Sequence, residues 1–304
     1  METKKDDTPL LTFGYAAPEA SEEAMRNMTE LATLVSARAN ADIAVSALPS
    51  YERVTQRIHK GELDLAWVSP IPFIALWRNK SIVPLASPRR GGMGYHGAIV
   101  VAADSPITEL SGLAGKRAAW VDRYSAAGFV VPRIELAKAG LDVKSAFSAQ
   151  HFYGSHAAVV RAIADGRADF GATFVRLGAN NAVVGGPWSG DPDLEKRLRI
   201  FAAFGEIPPD VIAARESLDV GVRNRVRDAL LAVAREPRAK ELLAAVFGAE
   251  AFAAPITSKY EALREAAAAA VQENLLDIEE ELEPEIVFDP ESVDKPQPLP
   301  AQRS

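Results

Sequence analysis

Side chains suited to holding a small charged molecule stand at three places where a helical pattern begins: Tyr51, Ser125 with Gly128, and His156. The stretch 115–141 shows the logic. Ala118 to Val121 is a short apolar run, the pattern of a buried strand. Asp122 to Gly128 is small and polar, and Phe129 to Ala139 reads as a helix. A strand that ends in a small-residue turn and opens a helix presents free backbone N–H groups and the positive end of a helix dipole, which together suit an anion. The same residues also describe an ordinary βα turn with Ser125 as its N-cap. Arg123 and Arg176 can reach a bound oxyanion or stand solvated. Tyr51 and Tyr95 can donate phenolic hydrogen bonds or pack at an edge, and His156 can be a ligand or a capping residue. Cysteine is absent and four histidines (59, 96, 151, 156) are scattered, so neither a thiolate nor a zinc site is indicated. No paired-carboxylate pattern points to acid–base catalysis, so the chemistry is that of binding, with no enzyme activity and no cofactor expected.

The elements that must position these residues alternate. Strands are expected over 9–15, 42–47, 64–68, 82–86, 97–103, 118–121, 151–153, 169–174, 198–204 and 211–214. Helices are expected from 18 to 38, 50 to 60, 129 to 139 and 156 to 165, and through most of 220–276. Ser21 and Ser50 are plausible caps, and Gly61 and Gly166 are stops. Residues 178–193 read as loop. Alternation of strand and helix implies parallel pairing with right-handed crossovers. Trp67 and Trp120 are read as core, and Asp64 and Asp169 as caps of the glycine turns before their strands.

A repeat organises the chain. Tyr51 opens a helix, Gly61 follows ten residues later, and Asp64 three after that; His156, Gly166 and Asp169 repeat the spacing with an offset of 105. Matched halves describe a hinged binder with its ligand between two lobes, and the helix starts at Tyr51, Ser125 and His156 then face one cleft. The expected lobes are 9–100 with 206–276, and 101–205, with strands 97–103 and 198–204 as crossings.

Length and charge agree with this frame. The 304 residues suffice for two cores, and 48% hydrophobic with 25% charged residues is a globular composition. The net charge of −7 sits entirely in the tail 277–304, whose nine acids face two bases; the body carries 32 of each. A neutral body argues against nucleic acid. The tail is proline-rich and reads as a disordered, solvated segment, with Glu285–Phe288 as the piece able to add a strand to a protein partner. There is no run of about 18 apolar residues and no apolar leader near Met1, so the chain as written reads as cytoplasmic, or as periplasmic if an export signal has been removed.

With these residues in view, the chain resembles the phosphonate/phosphate/phosphite-type substrate-binding proteins of ABC importers, a branch of the type II periplasmic binding-protein fold. The resemblance covers about 9–276. It rests on Tyr51 with Gly61-Glu-Leu-Asp-Leu-Ala-Trp-Val-Ser-Pro70, on Tyr95-His-Gly-Ala-Ile-Val-Val101 and Asp104-Ser-Pro-Ile107, on Val121-Asp122 through Ser125, Gly128 and Pro132, and on Gly154-Ser-His156 with Asp165-Gly-Arg-Ala-Asp-Phe-Gly171. It implies two α/β lobes closing on a small anion for a permease. It places ligand contacts at Tyr51, Tyr95, the Ser125–Gly128 loop and His156. Of the family's Ser-Thr-Ser-Gly loop, only the first hydroxyl survives, since Ala126 and Ala127 follow Ser125. Each lost bond to a charged oxygen is worth about 1.5–3 kcal/mol. Acids that hold an amino group in some members fall near 173–177, where Arg176 is the charged residue. Other classes on this fold are a cytosolic sensor or complex subunit with a changed or lost ligand, and a few lyases and biosynthetic enzymes.

Overall fold

A computed structural model describes residues 8–18, 21–91, 94–273 and 275–276. The expected tail, 277–304, lies outside the described residues. The first half alternates β1 (Leu10–Ala16), α1 (Glu22–Ala39), β2 (Asp42–Leu48), α2 (Tyr51–His59), β3 (Leu65–Val68), α3 (Pro70–Arg78) and β4 (Ile82–Arg89). The second element set is β5 (Gly94–Ala102), β6 (Arg117–Trp120), a π turn at Ala126–Val130 running into α4 (Val131–Lys138), β7 (Ala149–Phe152), α5 (His156–Ala164), β8 (Phe170–Leu177), β9 (Val183–Gly185), α6 (Pro192–Lys196) and β10 (Leu198–Glu206). The last elements among the described residues are β11 (Val211–Arg215), α7 (Val220–Val233), α8 (Pro237–Phe247), β12 (Ala251–Ala253) and α9 (Glu261–Gln272).

Two mixed sheets result, ordered β12-β4-β11-β3-β1-β2 and β10-β5-β8-β6-β7, with β9 beside β8. In each, three strands are parallel (β1 with β2 and β3; β6 with β7 and β8), and the strands nearest the connections run antiparallel. The chain passes from the first sheet to the second between β4 and β5 and returns between β10 and β11. Both β5 and β10 belong wholly to the second sheet, paired with each other from Leu198–Ala102 to Glu206–His96. The passages are therefore the short segments beside these strands, not the strands.

The repeat is structural. Phe13 pairs with Leu65 and Gly14 with Ala66 in the first sheet; Ala118 pairs with Phe170 and Ala119 with Gly171 in the second, each 105 positions later. Ser50 and Ser155 cap their helices alike, accepting from Arg53 N–H and Ala158 N–H at 3.1 Å. Asp64 and Asp169, expected to cap the glycine turns, bond instead to neighbouring strands. Asp64 accepts from Thr12 N–H (2.8 Å) and Arg215 Nε (2.9 Å), and Asp169 from Arg117 N–H (2.8 Å) and Nη2 (2.7 Å). Each carboxylate fastens the strand it opens to its parallel neighbour.

One apolar core joins the two sheets, with Phe73, Trp120, Phe129, Phe170 and Tyr260 among its large members. A core behind each sheet completes the layers: Leu11, Leu31, Ile212 and Leu243 behind the first, Val100, Val159, Ile163 and Trp188 behind the second. Buried Arg133 on α4 donates to the Leu275 carbonyl (2.9 Å) and to Gln150 Oε1 (2.8 Å), so the chain after α9 is held against the second sheet. The segment 220–276 is not uniformly helical. Ala251–Ala253 adds an edge strand to β4 after Gly248 ends α8, β9 lies within the stretch read as loop, and α6 begins at its end.

Candidate ligand-binding site

The loop after β6 is built from its own small residues. Asp122 turns the chain by accepting from Tyr124 N–H at 2.8 Å. Ser125, buried, accepts from Gly128 N–H at 3.0 Å and so caps the π turn. Gly128 is required by space, because a Cβ there would lie 2.3 Å from Val121 Cγ2. The Ala126 and Ala127 N–H groups occupy the first turn, where no intrahelical acceptor exists. Elements of the first sheet grip this loop from across the gap. Ser69 Oγ donates to the Tyr124 carbonyl at 3.2 Å, and the Tyr51 N–H at the start of α2 donates to the Asp122 carboxylate. Burial pushes the Asp122 carboxyl up to about 6 against these hydrogen bonds, and Glu52 adds to the shift.

Beside the loop, Phe174 on β8 gathers three sequence-predicted residues. Tyr95, opposite Arg176 in the β5–β8 register, stacks on Phe174 with centroids 5.2 Å apart. His156 meets the ring edge-on at 5.0 Å, and the Arg176 guanidinium stands 5.5 Å from its centroid. His156 Nδ1 lies 2.9 Å from the buried Thr173 hydroxyl. Burial lowers the His156 pKa to about 4, so the ring is neutral at physiological pH. The Arg176 Nε is buried with no hydrogen-bond partner, and desolvation lowers the pKa of the guanidinium.

The opposite wall was not foreseen. Arg90, after β4, places Nη2 3.6 Å from Asp210 Oδ2 and donates Nε to the Phe247 carbonyl at 3.0 Å. Asp210, before β11, also accepts from the Trp67 side chain, so Trp67 is more than core; its ring packs 4.3 Å from that of Phe247. Burial raises the Asp210 pKa, and the Arg90 charge opposes the rise. Asp210 in turn holds the Tyr51 and Tyr95 phenols neutral, on top of the larger effect of their burial. The one sequence signal for Asp210 was an acid closing a Pro-Pro-Asp bend next to a crossing.

The structure thus brings Tyr51, Tyr95, His156 and Arg176 into one polar neighbourhood and sets Ser125 and Gly128 in the loop beside it. Arg123 stacks over Phe152 of β7 at 5.3 Å. Among the described residues, no group of three or more histidines and acids is placed to hold a metal, and no helix is long and apolar enough to cross a membrane.

Two repeat-related sheets, joined by two short passages and lined between them by donors, make a two-lobe solute-binding protein of the type II periplasmic class. Residues 13–260 match the family model of ABC-transporter periplasmic phosphonate substrate-binding proteins, and the chain belongs to that family. Its members are binding proteins, not enzymes, and the family implies a small-molecule ligand and an ABC permease as partners. Solved structures share the fold. The binding-protein component of a Pseudomonas aeruginosa phosphonate transporter is 19% identical with a TM-score of 0.75, covering 88% of each chain. PhnD1 of Prochlorococcus marinus, solved with methylphosphonate, is 19% identical with a TM-score of 0.72, covering 88% of this chain and 98% of its own. A Xanthomonas citri protein solved with ATP is 21% identical with a TM-score of 0.68, covering 89% of this chain and all of its own.

Proposed function

We propose that the protein captures a small oxyanion, phosphate- or phosphonate-like, between its two sheets and presents it to an ABC importer. The observation that carries this reading is the Nε of Arg176, buried without a hydrogen-bond partner among the described residues, in a neighbourhood that offers several donors and one carboxylate, Asp210, paired with Arg90. A guanidinium N–H buried without an acceptor is costly, and an incoming anion removes the cost. Around it, the Tyr51 and Tyr95 phenols are protonated and can donate. A neutral His156 that accepts from the Thr173 hydroxyl at Nδ1 keeps its Nε2–H as a donor. Ala126 and Ala127 N–H groups supply the donors that the absent hydroxyls do not. The methylphosphonate complex of the Prochlorococcus marinus protein supports the ligand class.

A thermal-shift series of the purified chain with phosphate, phosphite, methylphosphonate, sulfate, an alkylsulfonate and acetate tests it. A true ligand at 100 times its dissociation constant adds about 2.7 kcal/mol to stability. The expected result is a clear shift with at least one tetrahedral oxyanion and none with acetate. No shift with any oxyanion refutes the reading.

A further inference from the structure

We propose that Arg176 makes this cleft selective for a ligand with two anionic groups, a phosphonate or phosphate head joined by a short chain to a carboxylate. The inference rests on the oxyanion reading above and deepens it. On this side of the cleft two guanidiniums, Arg90 and Arg176, face one carboxylate, Asp210. Asp210 is committed to Arg90, 3.6 Å away, and to the Trp67 side chain. Among the described residues, no carboxylate forms an ion pair with Arg176, and its Nε is buried without a partner. Among the described residues, two guanidiniums against one carboxylate leave this side of the cleft with a net positive charge.

That charge is held in place. The guanidinium rests 5.5 Å from the Phe174 centroid on β8 and against the bare backbone of Gly248 at the end of α8. Gly248, in the left-handed region at φ +56°, ends α8 there; a Cβ on it would lie 2.5 Å from Arg176 Nη2. Gly248 thus admits the arginine, and Arg176 spans the two lobes. A fixed planar fork is the geometry that binds a carboxylate through two parallel hydrogen bonds. The donors for the oxyanion head, His156 and Tyr95, border the same Phe174 ring, at 5.0 and 5.2 Å. One ligand can therefore reach the donors and Arg176 together if a short chain crosses that ring. An ammonium in place of the carboxylate meets Arg176 as a like charge in a poorly hydrated setting, where repulsion is weakly screened.

Calorimetric titration of the full chain with 3-phosphonopropionate, propylphosphonate and 2-aminoethylphosphonate decides it. The wild type is expected to bind phosphonopropionate about tenfold or more tighter than propylphosphonate, with the aminoalkyl compound weakest. Arg176→Met, close in length and uncharged, is expected to erase the gap between the first two. Arg176→Glu is expected to invert the order in favour of the amine. Equal wild-type affinity for phosphonopropionate and propylphosphonate overturns the inference, as does a gap that persists in the methionine variant. In those cases the oxyanion reading stands, because the simple phosphonate still binds. Failure of the wild type to bind any of the three, or phosphate, overturns both. The wild-type ligand series does not depend on how either variant folds.

Discussion

Replacing Asp122 by asparagine should stabilise the protein at neutral pH, although it removes a charge that two backbone N–H groups solvate. In the unfolded chain this carboxyl releases its proton near 3.8; folded, burial holds the proton until about 6. Between those values the folded state carries more protons than the unfolded state, so stability falls as pH rises and then levels off above 6. The difference corresponds to about 3 kcal/mol at pH 7.5. Asparagine keeps an Oδ1 acceptor for the Tyr51 and Tyr124 N–H groups and never ionises, so it mimics the protonated acid. Urea denaturation of both proteins at pH 4.0, 5.0, 6.0 and 7.5 measures the effect. The two curves should nearly coincide at pH 4.0 and separate progressively, with the variant more stable at 7.5. A variant equal to or weaker than wild type at pH 7.5, or a separation that does not grow with pH, refutes the account of Asp122 as a desolvated carboxylate. A bound oxyanion close to Asp122 should raise its pKa further, so ligand binding near pH 6 should take up protons, readable as a dependence of the calorimetric enthalpy on buffer.

Two more outcomes follow from the same physics. His156, with its pKa lowered to about 4, should show no imidazole titration by NMR between pH 5 and 8. Because the unfolded chain takes up this proton near 6.5, His156 costs stability as pH falls from 6.5 towards 4, and His156→Gln should remove that slope. A titration near 6.5 in the native protein would mean that the ring is solvated. The two repeat carboxylates should differ in weight, since the Asp64 side chain is 17% exposed and that of Asp169 32%. Asp64→Ala should cost about 2–3 kcal/mol in urea denaturation and Asp169→Ala roughly half that. Equal losses would show that burial does not set their value.

Much of the architecture was legible in the chain because it is written in short-range pattern. Serine caps, glycine stops and apolar runs mark α2, β3, α5 and β8, and the offset of 105 survives in strand register and in the Ser50–Ser155 and Asp64–Asp169 contacts. The edge strands β9 and β12 escaped because three-residue strands carry too few side chains for a period to show. The helix starts of the site were legible for the same local reason, and Tyr95, His156 and Arg176 do meet around Phe174.

By itself the sequence determined two matched αβ halves, a donor at each helix start and an arginine at 176 where the family resemblance implies acids. Only the tertiary structure decided that Asp210 goes to Arg90, that Tyr51 N–H reaches across to Asp122, and that Arg176 forms no ion pair with a carboxylate among the described residues. The physical reason is range. Caps and strand periods are set by neighbours a few residues apart, whereas the charge balance of a cleft is set by which side chains two separate sheets bring together. The bond from Arg90 to Phe247 spans 157 positions, and no local pattern encodes it.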